Sequence, residues 1–158
     1  MTSQVIQERD VLVEAWVNLL RAHAVTTRQF NAELLADHGL TINDFDVLAQ
    51  LARAPEKALK RVDLSERVLL TPSGITRLLE GLERAGYVER ATCDSDARVT
   101  YAQLTDGGEE KLRQAAKSHV AGIRAFFRER YSSEELETLA GLLERLPQEP
   151  ADDVDCTP

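Results

Sequence analysis

Apolar residues recur along this chain at helical spacing, interrupted once by a stretch that alternates. Over about residues 5–38, Leu12, Trp16, Leu19, Leu20, His23, Phe30, Leu34 and Leu35 fall along one helical face, and Gly39 stands where that helix would end. Such a helix runs ~45 Å. A domain of this size does not cover that length, so part of the stripe is expected to meet another subunit. Thr41 and Asp44 have the spacing of a capping box and open a second helix carrying Phe45, Leu48 and Leu51, which Pro55 closes. Asp63 and Glu66 repeat the spacing and predict a short helix that contains Leu64 and Val68.

Next comes Leu70-Thr71-Pro72-Ser73-Gly74, in which Thr71 suits an N-cap and Pro72 the first helical turn. Ile75, Leu78, Leu79 and Leu82 then form one buried stripe, and Gly86 ends the helix. Two short helices joined by a tight polar turn, the second amphipathic, read as a helix-turn-helix. After Gly86 the period changes. The runs Tyr87-Val88-Glu89-Arg90-Ala91-Thr92 and Val99-Thr100-Tyr101-Ala102-Gln103-Leu104 predict a small β hairpin with Cys93-Asp94-Ser95-Asp96-Ala97-Arg98 at its tip. Thr105 caps a long helix to about Arg130, lined by Leu112, Ile123, Phe126 and Phe127. Ser132 and Glu135 form a capping box for a last helix carrying Leu136, Leu139, Leu142, Leu143 and Leu146, stopped by Pro147. Residues 147–158 are acidic and patternless, and are expected to form a mobile tail. No internal repeat is present.

Composition narrows the classes. The 158 residues are 43% apolar and 29% charged, an ordinary globular balance. No apolar run is long enough to span a membrane, and the acidic start MTSQVIQERD does not read as a secretory signal. Only Cys93 and Cys156 occur, so no disulfide framework is expected and a reducing cytoplasmic location is. The net charge of −8 taken alone speaks against nucleic acid. Counted by region it does not. Residues 57–98 hold eight basic and seven acidic side chains, a balance of +1, which leaves −9 for the rest of the chain. The helix-turn-helix and hairpin are thus locally neutral to basic. Non-specific DNA affinity is expected to be weak and specific binding to need two copies acting together.

The face opposite the leucines of the second short helix carries Ser73, Thr76, Arg77, Glu80 and Arg84. Ser73 and Thr76 suit phosphate or base edges, and the Arg77 fork matches guanine O6 and N7. At the hairpin tip Arg98 follows Asp96 by two residues; an arginine there suits a minor groove, with the carboxylate fixing its guanidinium. Residue by residue, a solvated helix face and a weak surface ion pair explain the same side chains. His23, His38 and His119 are scattered without metal-ligand spacing, and there is no glycine-rich phosphate loop or Gly-x-Ser-x-Gly elbow. No catalytic residues, metal or cofactor are expected.

The stretch Leu64-Ser65-Glu66-Arg67, Thr71-Pro72-Ser73-Gly74-Ile75-Thr76-Arg77-Leu78 and Leu82-Glu83-Arg84-Ala85-Gly86-Tyr87-Val88-Glu89-Arg90 resembles the winged helix-turn-helix of the MarR family of bacterial transcription regulators. That family's wing signature, Asp-x-Arg then a strand and Leu-Thr-x-x-Gly, matches Asp96-Ala97-Arg98 and Leu104-Thr105-Asp106-Gly107-Gly108. The resemblance covers nearly the whole chain, from the first helix to about Leu146. It implies a mainly α fold with a small β hairpin. Residues 1–146 would form one domain, with 41–104 as the winged helix-turn-helix and 1–40 and 105–146 as dimerisation helices. It implies an obligate homodimer that reads a palindromic operator in double-stranded DNA, as a repressor. One departure is Ala97, where many relatives have a second basic residue, so minor-groove affinity is expected to be lower.

Relatives often bind aromatic anions between the dimer helices and the DNA-binding lobe. The branch responding to urate-like ligands resembles this chain in carrying a tryptophan on its first helix. Trp16 is therefore either dimer core or the wall of an effector pocket assisted by Arg21, Arg28 or Asp46. The peroxide-sensing relatives keep a reactive cysteine in the first helix, where this chain has none, so Cys93 reads as a passive thiol. A rival class is a dimeric winged helix used only for protein contacts, which the retained Arg77 and Arg98 disfavour. A methyltransferase accessory module would need a nucleotide-binding half that is absent here.

Overall fold

Residues 10–68, 70–92 and 99–146 are described by the computed structural model of the chain. Helix α1 spans Val11–His38, with the Asp10 carboxylate accepting the Leu12 N–H as its cap; the expected start near residue 5 lies outside the described residues. Gly39 closes it in the left-handed region at φ 65°, as read from the sequence. Helix α2, Ile42–Arg53, carries the complete Thr41–Asp44 capping box. A tight turn at Pro55–Lys57 leads to strand β1, Ala58–Lys60, which the sequence reading missed. Helix α3, Arg61–Arg67, corrects the expected Asp63–Glu66 box. It starts two residues before Asp63 and has no side-chain cap, because the strand before it sets where the helix begins. Helix α4, Pro72–Arg84, is capped by Thr71 Oγ1, which accepts the Gly74 N–H at 3.1 Å.

Strands β2, Val88–Thr92, and β3, Thr100–Leu104, form the expected hairpin. β1 pairs antiparallel on the other edge of β3, with Ala58 opposite Gln103 and Lys60 opposite Tyr101. The hairpin is thus part of a three-stranded sheet in the order β1-β3-β2. Helix α5, Asp106–Arg128, and helix α6, Ser133–Leu143, follow, the latter with its full Ser132–Glu135 capping box. The wing tip at 93–98, both cysteines and the acidic tail lie outside the described residues.

The core gathers Leu34 of α1, Val47, Leu48 and Leu51 of α2, Leu64 of α3, and Leu79 of α4, each at most 2% exposed. Val88, Leu104 and Ala115 extend it through the sheet to α5. At ~1.5–3 kcal/mol per fully buried aliphatic side chain, this cluster is the main favourable term holding the lobe together. The N-terminal half of α1 behaves otherwise. Leu12 is 82% exposed and Trp16 59%, and Leu19, Leu20 and Val25 are exposed as well. No residue of α6 is buried, and Leu142, Leu143 and Leu146 face outward.

One junction ties four elements together. The chain leaves α4 through a C-terminal turn in which Gly86 N–H donates to Glu83 O and Tyr87 N–H to Leu82 O, with Gly86 at φ 76°. Thr105, between β3 and α5, donates its Oγ1–H to Gly86 O at 2.7 Å and its N–H to Tyr87 O at 3.1 Å. The same hydroxyl oxygen accepts the Gly108 N–H. A Cβ on Gly108 would stand 2.0 Å from Tyr87 O and 2.7 Å from Leu104 Cδ1, whereas one on Gly107 would be 3.4 Å from its nearest neighbour. Gly108→Ala should therefore destabilise the chain by ~1–3 kcal/mol through overpacking against backbone. Gly107→Ala, in the same helical turn, should be neutral or stabilising by a few tenths to ~1 kcal/mol. Urea unfolding of the two variants checks this pair; equal effects would show that the close approach is not what matters.

Candidate nucleic-acid interface

Helix α4 is the element that the helix-turn-helix presents. Ile75, Leu79 and Leu82 are buried on one side, and Leu78 is partly so. This leaves Ser73, Thr76, Arg77, Glu80 and Arg84 exposed on the other. The structure thus brings four of the predicted DNA-binding residues, Ser73, Thr76, Arg77 and Arg84, onto a single outward face. Ser73 Oγ lies 3.2 Å from the capping Thr71 Oγ1, so the first turn is braced by its own hydroxyls. Among the described residues, neither Arg77 nor Arg84 makes an ion pair. Their guanidinium groups are available to an anion or to a base edge.

Beside α4, strand β2 adds Arg90, exposed and 4.0 Å from Glu83 Oε2. The sequence reading placed Arg90 in a strand but gave it no role. The contact with Glu83 places it near the C-terminal end of α4. Asp96 and Arg98, the predicted wing contacts, lie outside the described residues.

The predicted effector residues are not gathered in the single chain. Trp16, Arg21 and Arg28 lie exposed along α1, and Asp46 is half-buried on α2. One open groove of about 560 Å³ runs between α2 and α5, lined by Ala52, Leu112, Arg113 and Ala116 among others, and includes none of the four. The histidines are equally dispersed. His38 Nε2 shares a 2.6 Å hydrogen bond with Ser118 Oγ, tying the end of α1 to α5. His119 of α5 sits edge-on to Phe45 of α2 at 4.8 Å and to Phe30 of α1 at 5.5 Å. Its Nδ1 is buried without a hydrogen-bond partner. Among the described residues no group of three His, Cys, Asp or Glu side chains converges as a metal site would. No described helix is long and apolar enough to cross a membrane.

A capped, amphipathic second helix with a polar and cationic outer face, set beside a β ribbon, defines a winged helix-turn-helix of the DNA-binding class. The MarR family model matches residues 38–99. The chain is 36% identical over 115 residues to the transcriptional repressor YetL of Bacillus subtilis, covering 70% of this chain and 68% of YetL. It superposes with a TM-score of 0.75 and 30% identity on AbsC, a MarR family transcriptional regulator from Streptomyces coelicolor, over 87% of this chain and 92% of AbsC. It also superposes on Sco3205, a MarR family regulator from the same organism solved in complex with DNA. That match has a TM-score of 0.74 and 28% identity, over 82% of this chain and 81% of Sco3205. The chain belongs to the MarR family. It is a DNA-binding transcription regulator and not an enzyme.

His119 gives the contact between the long helices and the DNA-binding lobe a pH dependence. Burial lowers its pKa below the ordinary 6.5, and the Glu33 carboxylate opposes the shift in part. The unfolded chain therefore takes up this proton more readily than the folded one. Stability from this site is fully present above 6.5 and is lost as the pH falls through the lowered value. His119→Leu should flatten the loss of stability between about pH 7.5 and about pH 5 in urea titrations. A variant with an unchanged pH slope would rule the histidine out as its source.

Proposed function

We propose that this regulator is a repressor that binds a palindromic operator as a homodimer and is released from it by a small aromatic anion. The observation that carries the DNA-reading half is the outward face of α4, where Arg77 and Arg84 stand without ion-pair partners among the described residues, above a buried leucine stripe. Residues 41–104 form the reading head, with Ser73, Thr76, Arg77 and Arg84 in the major groove and Asp96 and Arg98 at the minor groove. Residues 1–40 and 105–146 hold the dimer. The exposed apolar residues of α1 and α6 support this, since surface of that kind on separate helices marks an interface. The repressor role is supported by the name of YetL.

Arg77→Ala should weaken operator binding by ~1–3 kcal/mol and relax the base preference at one position per half-site. Arg98→Ala should weaken binding evenly across operators and lower the salt slope by about one unit per lost contact. Titration of operator duplexes at several salt concentrations separates the two. Variants that both bind like wild type would remove the DNA-reading assignment.

The effector half rests on Trp16, which offers a stacking face on the helix that also carries Arg21 and Arg28, with Asp46 on the neighbouring α2. Two recognition helices must stand ~34 Å apart to enter successive major grooves, and the packing of the long helices sets that distance. A ligand that favours another spacing lowers DNA affinity by its differential affinity for the two arrangements. A flat aromatic carboxylate such as salicylate should quench the tryptophan and release operator DNA over the same concentration range. Trp16→Phe should weaken both effects while leaving ligand-free DNA binding and the dimeric mass by light scattering unchanged. A variant that turns monomeric would make Trp16 part of the dimer core instead.

A further inference from the structure

The α4 face holds one group that a DNA-binding surface would not be expected to carry. At about 100° per residue, Glu80 stands ~160° around the helix axis from the buried Leu82, at the middle of the outward face. Its neighbours on that face are Arg77, one turn before it, and Arg84, one turn after it. Residues at these spacings are within reach of each other. Yet Glu80 pairs with neither, and among the described residues it has no ion-pair or hydrogen-bond partner. It is exposed, so the fold does not require its charge. A carboxylate in this place opposes the phosphates of any duplex that α4 approaches, which is a cost levied on every sequence alike.

We infer that Glu80 is a specificity-determining residue, which accepts a hydrogen bond from the N4 amino group of a cytosine in each operator half-site. The inference rests on the DNA-reading function proposed above. Its chemistry follows from what each base shows in the major groove. Guanine offers O6 and N7 and thymine offers O4, all acceptors that repel a carboxylate. Adenine sets its amino group beside the N7 acceptor. Cytosine presents an amino donor with no acceptor next to it on its own edge. The guanine paired to that cytosine, or the one beside it, is the natural target of Arg77, whose Cβ lies about 5–6 Å from that of Glu80 at this spacing. Together the two side chains form a donor and an acceptor that match one G·C step in one orientation. Glu80 thus acts by rejection. It weakens binding to most sequences and is satisfied only where an amino group meets it.

The test is a selection of bound duplexes from a random library, run in parallel with the full-length wild-type chain, Glu80→Gln and Glu80→Ala. Wild type should enrich cytosine at one position per half-site, with other bases there costing between about fivefold and a hundredfold in affinity. Glu80→Gln keeps the shape and should move the preference at that position toward adenine, whose N6 and N7 suit an amide. Glu80→Ala should lose the preference there while keeping it elsewhere. Both variants should bind non-specific DNA ~2-fold or more tightly, because one negative charge has left the groove. Identical base profiles for all three proteins would overturn the inference. So would a uniform loss of affinity in the variants with an unchanged profile, which marks a structural role. If wild type enriches no sequence at all, the DNA-reading function itself fails and this inference with it.

Discussion

The burial of Ile75, Leu79 and Leu82 is the constraint on which the reading head depends. Three side chains on one stripe fix not only where α4 lies but how far it is rotated about its own axis. A rotation of one residue, about 100°, would drive Glu80 or Arg84 toward the core and expose a leucine, and burying such a charge unpaired costs several kcal/mol. Every functional statement about Arg77, Arg84 and Glu80 is therefore first a statement about leucines. The hydroxyl cap of Thr71 and the glycine turn after Arg84 fix the two ends of the same helix. Side chains on the outer face can then vary in chemistry without loss of aim.

Much of this was legible in the sequence, where the signal was local. The caps at Thr41 and Ser132 depend on pairs of side chains three residues apart, the cap at Thr71 on a hydroxyl just before a proline, and all three hold. The MarR resemblance, carried by motifs in the helix-turn-helix and wing, is matched by the family model and by the relatives. Strand β1 was not legible, because three residues carry no period and its ladder partner is β3, more than forty positions away. The start of α3 failed for the same reason, since the strand before it overrides the local cap signal. Four of the residues expected to face DNA, Ser73, Thr76, Arg77 and Arg84, lie on the outward face of α4, because amphipathic spacing alone separates inside from outside. Glu80 lay on the same face and received no role, since a charge on an exposed helix needs no explanation until it is seen to lack a partner among the described residues. A pocket around Trp16 is of another kind. Its walls would belong to more than one element, and spacing along one helix does not show what faces it.

The lobe and the long helices differ in how they are stabilised. The lobe closes its own core. The N-terminal half of α1 and all of α6 leave apolar side chains in water, at a cost that association with a second surface relieves. Where the two regions touch, His119, Phe30 and Phe45 meet with one imidazole nitrogen unsatisfied. This contact is less complete than the core, and proton uptake acts on it directly.

The junction of Thr105, Gly86, Tyr87 and Gly108 has a mechanical meaning. There the end of α4, both strands of the hairpin and the first turn of α5 are joined by hydrogen bonds of 2.7 to 3.1 Å, with no room for a methyl group on Gly108. Such a joint has no slack. A tilt of α5 about its far end would pass through this joint into α4 and the hairpin strands, with α5 as a lever and the lobe as its tip. Over a helix of 23 residues, ~35 Å long, a tilt of 5° carries that tip ~3 Å, close to the rise of one base pair. A small change among the long helices would thus move the outward face of α4 by about one base-pair rise, without any unfolding of the lobe.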